Sequence, residues 1–130
     1  MAEFLGKGWG FPVATDRGRF GVAEYEESIE QGIRIVLSTP LGERVMRPNF
    51  GCAIHELTFA PNSATTRGTA EAHVREALER WEPRIELLDV RAVASDERDE
   101  LLLISVRYRV HLTDSRFNLV YPFYLNRTTP

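Results

Sequence analysis

The apolar residues of this chain change their period once, from a helical spacing in the N-terminal part to alternation in the C-terminal part. Between residues 24 and 39 they are spaced by four, four, three and one positions, which puts them on one face of an α-helix. This predicted face comprises Tyr25, Ile29, Ile33, Val36 and Leu37. Pro40 ends the predicted helix, because its ring disfavours helical backbone in the preceding residue. Gly32 lies inside the helix, where it costs about 1 kcal/mol relative to alanine but leaves room for close packing.

A second helix is predicted to begin after Pro61-Asn62-Ser63 and to stop at Pro83. Its apolar face is predicted to comprise Ala70, Val74, Ala77, Leu78 and Trp81. Between the two helices, residues 41–51 hold the turn residue Gly42, an alternating run through Val45 and a break at Pro48-Asn49. This pattern predicts a short strand followed by a structured loop.

From residue 88 onwards apolar and polar residues alternate, which is typical of strands with one buried face. A charged turn at residues 95–100 separates the first two predicted strands. Pro122 cannot donate a backbone hydrogen bond, so the third strand is predicted to lie at a sheet edge. The buried face is predicted to comprise Leu88, Val90, Ala92 and Ala94, then Leu102, Ile104, Val106, Tyr108, Val110 and Leu112, and finally Phe117, Leu119, Tyr121, Phe123 and Leu125.

The order of these elements predicts an α+β domain, in which two main helices pack on one face of a small antiparallel sheet. A chain of 130 residues fits a single domain of this kind. Residues 1–22 are rich in glycine and show neither period, so they are predicted to form an extended N-terminal arm. The domain is expected to span residues 23–125 and to be followed by a C-terminal tail at residues 126–130.

Charge and cysteine content argue against several classes of function. Sixteen Lys and Arg against nineteen Asp and Glu give a net charge of -3, so the chain as a whole lacks the positive field that attracts nucleic acid or an anionic membrane. One cysteine, Cys52, cannot form an internal disulfide. The N-terminus carries no apolar run of signal-peptide or membrane-spanning length, so we expect synthesis in the cytoplasm.

Neither a metal site nor a catalytic site is predicted. Cys52 and His55 could share a metal ion, but such a site normally needs three or four ligands, so we expect no metal and no other cofactor. The acids Glu26-Glu27 and the helical series Glu76, Glu79 and Glu82 could supply the paired carboxylates of a glycosidase. Acidic residues on the exposed side of a helix are, however, what solubility alone produces. We therefore expect that the chain is not an enzyme.

Glu82-Pro83-Arg84, at the end of the second predicted helix, is the most unusual local feature. An acid at this position faces the negative end of the helix dipole and is unfavourable unless a cation compensates it. One interpretation is a local ion pair between Glu82 and Arg84. The other is that both charges project at an angle fixed by Pro83 and bind a partner protein, so that Arg84→Ala weakens this contact and leaves the fold intact.

Two motifs stand in a fixed order along the chain: Gly42-Glu43-Arg44 followed by Arg47-Pro48-Asn49-Phe50-Gly51, and then Glu82-Pro83-Arg84 before a hairpin. They resemble the motifs of the small baseplate wedge proteins, often called lysozyme-like, of contractile phage tails, pyocins, type VI secretion baseplates and extracellular contractile injection systems. The resemblance covers about residues 22–112. The order and spacing of the motifs make the combination fairly specific.

This resemblance implies a structural baseplate subunit that clamps the larger wedge subunits and seeds sheath assembly. The implied partners are the larger wedge subunits, the sheath protein and inner-tube or hub proteins, in a six-fold baseplate assembled from cytoplasmic subunits, with no nucleic acid and no membrane. The implied partner-binding residues are Gly42, Glu43, Arg44, Pro48, Phe50, Gly51, Glu82, Pro83 and Arg84. The strand with Pro122, or the N-terminal arm, is expected to pair with the sheath. A peptidoglycan hydrolase and a free regulatory adaptor stay open as alternatives.

Overall fold

The computed structural model describes residues 18–125, which form two α-helices and three β-strands. Helix α1 spans Gly18–Ser38 and buries the predicted apolar face, except for Tyr25, which is half-buried; Ile29, Ile33 and Leu37 are fully enclosed. It begins earlier than predicted, so the last residues assigned to the arm are helical. No proline lies between residue 18 and the apolar face, and nothing in this stretch stops a helix. The rest of the predicted arm and the tail at residues 126–130 lie outside the described residues.

Helix α2 spans Ala64–Trp81. It begins directly after Pro61-Asn62-Ser63, as predicted. Ser63 caps its start, since the side-chain oxygen accepts a hydrogen bond from the backbone N–H of Thr66 at 3.2 Å. The predicted apolar face of α2 is buried, except for Trp81, which is half-buried. Between residues 18 and 125, neither helix combines the length and the apolar composition that crossing a membrane requires.

The segment between the helices is a closed loop, and the short strand predicted through Val45 is wrong. The backbone N–H of Gly42 donates to the carbonyl oxygen of Pro48 at 2.8 Å, so the loop bonds to itself and not to a neighbouring strand. An isolated bridge between Pro40 and Cys52 closes the base of the loop. A short 3-10 helix, Ala53–Leu57, connects it to the start of α2.

The strands form an antiparallel sheet in the order β1-β2-β3, and they span Ile85–Ala94, Leu101–Val110 and Arg116–Tyr124. The register shifts between Leu87 and Asp89, so Leu88 is an extra residue and is 36% exposed. Three other residues of the predicted buried face are also exposed: Ala94 at the end of β1, Leu112 beyond the end of β2, and Phe117 near the start of β3.

One face of the sheet carries the core, to which both helices contribute. The residues of β2 that point to this face, from Leu102 to Val110 at every second position, are all buried. Strand β3 lies at an edge, as Pro122 predicted. The predicted α+β class is therefore confirmed, with two helices and a three-stranded antiparallel sheet.

Candidate functional site

Glu82, which follows the last residue of α2, is buried and held by Arg84. Its backbone N–H donates to the carbonyl oxygen of Leu78 at 2.9 Å, and its side chain is only 3% exposed. Arg84 donates from Nε to Oε2 at 2.6 Å and from Nη2 to Oε1 at 2.9 Å, which makes the pair bidentate. These hydrogen bonds to Glu82 raise the pKa of Arg84 above its ordinary value. An acid at the end of a helix is thus compensated by a cation two residues away.

The ion pair packs against α1 at Gly32. A Cβ atom at this position would lie 2.7 Å from Oε1 of Glu82 and 3.0 Å from Nη2 of Arg84. The guanidinium group of Arg84 also lies 6.0 Å from the ring centroid of Tyr25, which precedes Gly32 on the same helix. Gly32 therefore allows close packing as predicted, and its contact with the ion pair explains a glycine in a helix interior.

Of the two interpretations of Glu82-Pro83-Arg84, the local ion pair is the one that the structure contains. Glu82 does not project from the helix end, and both its carboxylate oxygens are already bound, so the expected projection of both charges is wrong for Glu82. Arg84 differs, because 34% of its side chain is exposed and Glu82 leaves its Nη1 group unused. Partner binding by Arg84 stays a prediction.

The loop of residues 41–51 depends on two glycines with positive φ angles. Gly42 has a φ of 84° and Gly51 a φ of 126°, conformations that residues with a side chain rarely adopt. A Cβ atom at Gly51 would also overlap the carbonyl oxygen of Thr39. The backbone N–H of Phe50 donates to the carbonyl oxygen of Arg47 at 3.0 Å and tightens the second half of the loop. These glycines are therefore needed to close the loop.

Trp81 joins the loop to the end of α2. Its ring meets the ring of Phe50 edge-on with centroids 5.2 Å apart, and its Nε1–H donates to the carbonyl oxygen of Asn49 at 3.2 Å. The guanidinium group of Arg44 lies 4.8 Å from the Phe50 centroid, and that of Arg47 lies 5.0 Å from the Trp81 centroid. Trp81, the residue before Glu82, therefore joins the first motif to the helix end at which the second motif begins.

Three residues of the surface around Trp81 were not among the predicted site residues: Arg47, Arg80 and Trp81. Arg80 lies 5.6 Å from the Trp81 centroid and adds a third guanidinium group to the aromatic pair. A signal existed, because Trp81 stands at the end of an apolar helical face directly before Glu82, and tryptophan is rarely buried completely. The predicted residues Glu43, Pro48 and Pro83 are exposed around the same surface.

Cys52 and His55 make structural contacts. Cys52 is fully buried, and burial raises the pKa of its thiol to about 11. Nε2 of His55 donates to the carbonyl oxygen of Leu37 at 2.8 Å, since a carbonyl can only accept. Within the described part of the chain, no three histidine, cysteine or acidic side chains come close enough together to hold a metal ion.

The carboxylates considered for catalysis are separated or bound by other groups. Glu26 accepts a hydrogen bond from the Thr113 hydroxyl at 2.9 Å. A shallow cleft beside the end of α2 is lined by Glu79, Glu82 and Glu86 with other residues. Arg84 binds both oxygens of Glu82, and Nε of Arg109 donates to Glu86 at 2.9 Å. A glycosidase needs two carboxylates with separate roles, and two of these three acids are already paired with arginine.

The chain is similar to known proteins of one family. The family model described as baseplate wedge protein gp25 matches residues 23–115, which include both motifs. Baseplate wedge protein gp25 of Enterobacteria phage T4 is 29% identical over 83 residues, which are 64% of this chain and 62% of the phage protein. The match thus spans less than two thirds of that relative.

Two solved structures are similar over longer stretches. A protein of Geobacter sulfurreducens, provisionally named a tail lysozyme, is 47% identical and superposes with a TM-score of 0.75 over 92% of this chain and 100% of its own. A chain of the post-contraction pyocin R2 baseplate is 30% identical, with a TM-score of 0.50 over 75% of this chain and 83% of its own. The chain with this two-motif surface therefore belongs to the baseplate wedge protein gp25 family.

Proposed function

We propose that this chain is a structural subunit of a contractile baseplate, where it clamps the larger wedge subunits and seeds the sheath. The observation that carries the proposal is the surface in which Trp81 joins the two motifs. Family membership supports a place in a baseplate. A surface of partly exposed side chains in fixed positions suits a protein partner, because little side-chain entropy is lost on binding. The chain would be made in the bacterial cytoplasm and enter the particle in several copies.

The clamp contact is centred on Arg84. Glu82 fixes the plane of the guanidinium group through two hydrogen bonds, and Pro83 restricts the backbone between the two residues. An arginine held in this way offers its Nη1 hydrogens to a carboxylate or a backbone carbonyl of the partner. In this proposal Arg84 is the donor, and Glu82 and Pro83 hold it in position.

The sheath contact is assigned to the outer edge of β3 or to the N-terminal residues 1–17. The backbone of Ser115 and Leu125 bonds on the β2 side. Asn118 and Val120 alternate with these positions, so their backbone groups point outwards and are available for an added strand. Pro122 has the same orientation but no N–H, so the row of donors is interrupted there. A sheath strand would therefore pair mainly with the first half of β3.

The contacts of the carboxylates support a function without catalysis, because Glu82 and Glu86 are engaged by arginine. The name given to the Geobacter relative makes peptidoglycan hydrolysis the alternative to test. The purified chain should not clear peptidoglycan. Clearing that disappears in Glu79→Gln or Glu82→Gln would contradict the proposal.

Deletion and complementation in the bacterium or phage that encodes the chain tests the structural function. Without the chain, electron micrographs should show no sheathed particles, and the wild-type chain should restore them. Purified particles should contain the chain together with the larger wedge subunits. Normal particles without the chain would overturn the proposal. A chain that binds one partner in the cell and is absent from particles would identify it as a regulatory adaptor.

The sheath contact is tested separately by deleting residues 1–17 and by Val120→Pro, which places a second proline on the outer edge of β3. At least one of these variants should still co-purify with the larger wedge subunits but start no sheath. Ala94→Pro, at an exposed position of β1 whose N–H also points away from β2, is the control for a general loss of sheet stability. Normal sheath number and length in both variants would rule out this part of the proposal.

A further inference from the structure

The tip of the loop of residues 41–51 exposes two neighbouring apolar side chains. Val45 is 92% exposed and Met46 is 88% exposed, more than any other large apolar side chain between residues 21 and 125. Single exposed apolar residues are common on protein surfaces, but two adjacent and almost fully exposed ones on a protruding loop are an unfavourable arrangement in water. The arrangement becomes favourable when another surface covers the tip.

The loop that carries this tip is fixed at several points. Its two halves are joined by the hydrogen bond from Gly42 to Pro48, and a second bond runs from Glu43 N–H to the Pro40 carbonyl oxygen at 3.3 Å. Trp81 holds the base of the loop through Phe50 and the carbonyl of Asn49. Val45 and Met46 therefore lie on a loop whose backbone is already held in place. Because of this, less conformational entropy is lost when they bind.

The surroundings of the tip are positively charged, although the chain as a whole has a net charge of -3. The guanidinium groups of Arg44, Arg47 and Arg80 lie over the Phe50 and Trp81 rings. Among residues 21–125, no carboxylate lies within 4.0 Å of these three guanidinium groups. Their Cζ atoms lie 4.8, 5.0 and 5.6 Å from the ring centroids, and the guanidinium N–H groups are available to carboxylates of another molecule.

We propose that Val45 and Met46 insert into an apolar pocket of a larger wedge subunit, and that Asp and Glu residues at the rim of this pocket bind Arg44, Arg47 and Arg80. This inference rests on the proposed baseplate function and adds to it the residues that touch the partner. The motif residues Gly42, Phe50 and Gly51 then support the loop, and the two tip residues between the motif halves make the apolar contact.

A protein pocket fits these features better than a lipid surface. Two apolar side chains bury too little area to anchor a protein in a membrane. In a protein interface, by contrast, a few residues can carry most of the binding energy, and arginine is common among them. The arginines are fixed on aromatic rings, which suits carboxylates in fixed positions more than mobile headgroups. Binding to vesicles of anionic phospholipid is therefore an outcome that would contradict the inference.

Site-specific photo-crosslinking in assembling particles tests the contact. A photoreactive amino acid is placed at Met46 in the full chain and, as a matched control, at Leu112, which is 75% exposed on the β2–β3 turn. The probe at position 46 should give a crosslink to a larger wedge subunit, at a peptide containing Asp or Glu, and the probe at 112 should not give this product. Particles that contain the chain but give no crosslink from position 46 would overturn the inference and leave the baseplate function standing. Particles without the chain would overturn both.

The contribution of the tip to affinity is measured with purified chain and purified larger wedge subunits. Met46→Ser should weaken binding about tenfold or more, whereas Leu112→Ser should change it less than about twofold. Arg47→Gln should weaken binding about threefold or more and reduce its dependence on salt. Equal affinities of the wild type and Met46→Ser for the wedge subunits would overturn the inference, as would vesicle binding that Met46→Ser abolishes.

Discussion

The Glu82-Pro83-Arg84 segment and the loop of residues 41–51 meet at Trp81, but the first buries a charged side chain and the second exposes an apolar one. In the first segment a charged side chain, Glu82, is 3% exposed. In the second, the apolar side chain of Val45 is 92% exposed. Residue type alone would assign the acid to the surface and the valine to the interior. The comparison shows that neighbouring elements, and not polarity, decide the orientation of these side chains.

The cause of the difference lies in what each segment packs against. Gly32 of α1 leaves a space into which the Glu82 carboxylate fits, and Arg84 supplies both hydrogen bonds that the buried charge needs. The tip of the loop packs against no comparable site, since Val45 is 92% exposed and Met46 is 88% exposed. Stability should therefore depend on the ion pair of the first segment, whereas the exposed tip of the second should contribute to binding and little to stability.

The largest expected effect is the loss of stability in Arg84→Ala. The substitution leaves the buried carboxylate of Glu82 without a cation, and breaking a fully buried pair in this way costs about 3–5 kcal/mol. Because 34% of Arg84 is exposed and water can reach the site, we expect a loss of about 2–4 kcal/mol in the free energy of unfolding. Chemical denaturation at pH 7 measures it. This replaces the expectation that Arg84→Ala leaves the fold intact.

Arg91→Ala is the matched control, since Arg91 also pairs with an acid two residues away, Asp89 at 3.1 Å. That pair lies on the surface, where 71% of the Arg91 side chain is exposed, and we expect a loss below about 1 kcal/mol. Equal losses in the two variants would show that the Glu82 pair contributes no more than a surface ion pair. The contrast between the two segments would then fail.

The next effect concerns the space at Gly32. In Gly32→Ala the new Cβ atom would lie 2.7 Å from the Glu82 carboxylate, and we expect a net loss of about 1–2 kcal/mol although alanine favours the helix. Gly68→Ala in α2 is the control, because nothing lies within 4 Å of its added Cβ. It should gain about 0.5–1 kcal/mol from helix propensity alone. Thermal unfolding of both variants decides the matter, and a higher midpoint for Gly32→Ala than for wild type would exclude a tight contact.

The sequence predicts best what short-range patterns determine. The faces of α1 and α2, the cap at Ser63 and the edge position of the strand with Pro122 all follow from the identity and spacing of nearby residues. Gly32 was also recognised as a position for close packing. The partner in that contact, an ion pair fifty residues further along the chain, has no local signal.

The features that the sequence did not predict depend on contacts between elements. The extra residue Leu88 shifts the register of β1 because both Leu87 and Val90 must face the helices. The loop of residues 41–51 closes through its own backbone, which an alternating pattern of side chains does not indicate. The resemblance to a family identified both motifs, but it did not separate the residues that hold the surface together from those exposed on it.

A smaller effect is expected where the two segments meet. Trp81→Phe keeps an aromatic ring against Phe50 but removes the hydrogen bond to the Asn49 carbonyl, so we expect a loss of about 1 kcal/mol. Limited trypsin digestion should cut faster after Arg44, since the loop opens more often. Tyr124→Phe, at a residue that is 52% exposed on β3, should change neither result. Unchanged cleavage in Trp81→Phe would mean that the loop is closed by its backbone alone.

Alkaline pH should lower the free energy of unfolding, because the buried Tyr108 titrates at a higher pH in the folded chain than in the unfolded chain. Burial is the main cause that raises the pKa of Tyr108 to about 12, with the negative charge of Glu30 and neighbouring acids adding to it. Since the unfolded chain releases this proton near pH 10, stability present below that pH is lost as the pH rises towards 12. Tyr108→Phe should therefore lose less stability than wild type between pH 7 and pH 11, by roughly 1 kcal/mol or less. Urea denaturation at the two pH values measures these losses. If wild type and Tyr108→Phe lose the same free energy of unfolding between pH 7 and pH 11, Tyr108 does not titrate in this way.

The smallest expected effect on stability is at the loop tip, and it completes the contrast between the two segments. Val45→Thr adds a hydroxyl group to a side chain that is 92% exposed, so the free energy of unfolding should stay within about 0.5 kcal/mol of wild type. Val74→Thr makes the same change at a fully buried position of α2 and should lose about 1–3 kcal/mol, because the hydroxyl group enters the core. Urea denaturation of both variants, with binding to the larger wedge subunits measured in parallel, separates the two roles. A stability loss at Val45 comparable to that at Val74 would mean that the tip packs against the chain's own core, and the loop could not then be a surface reserved for a partner.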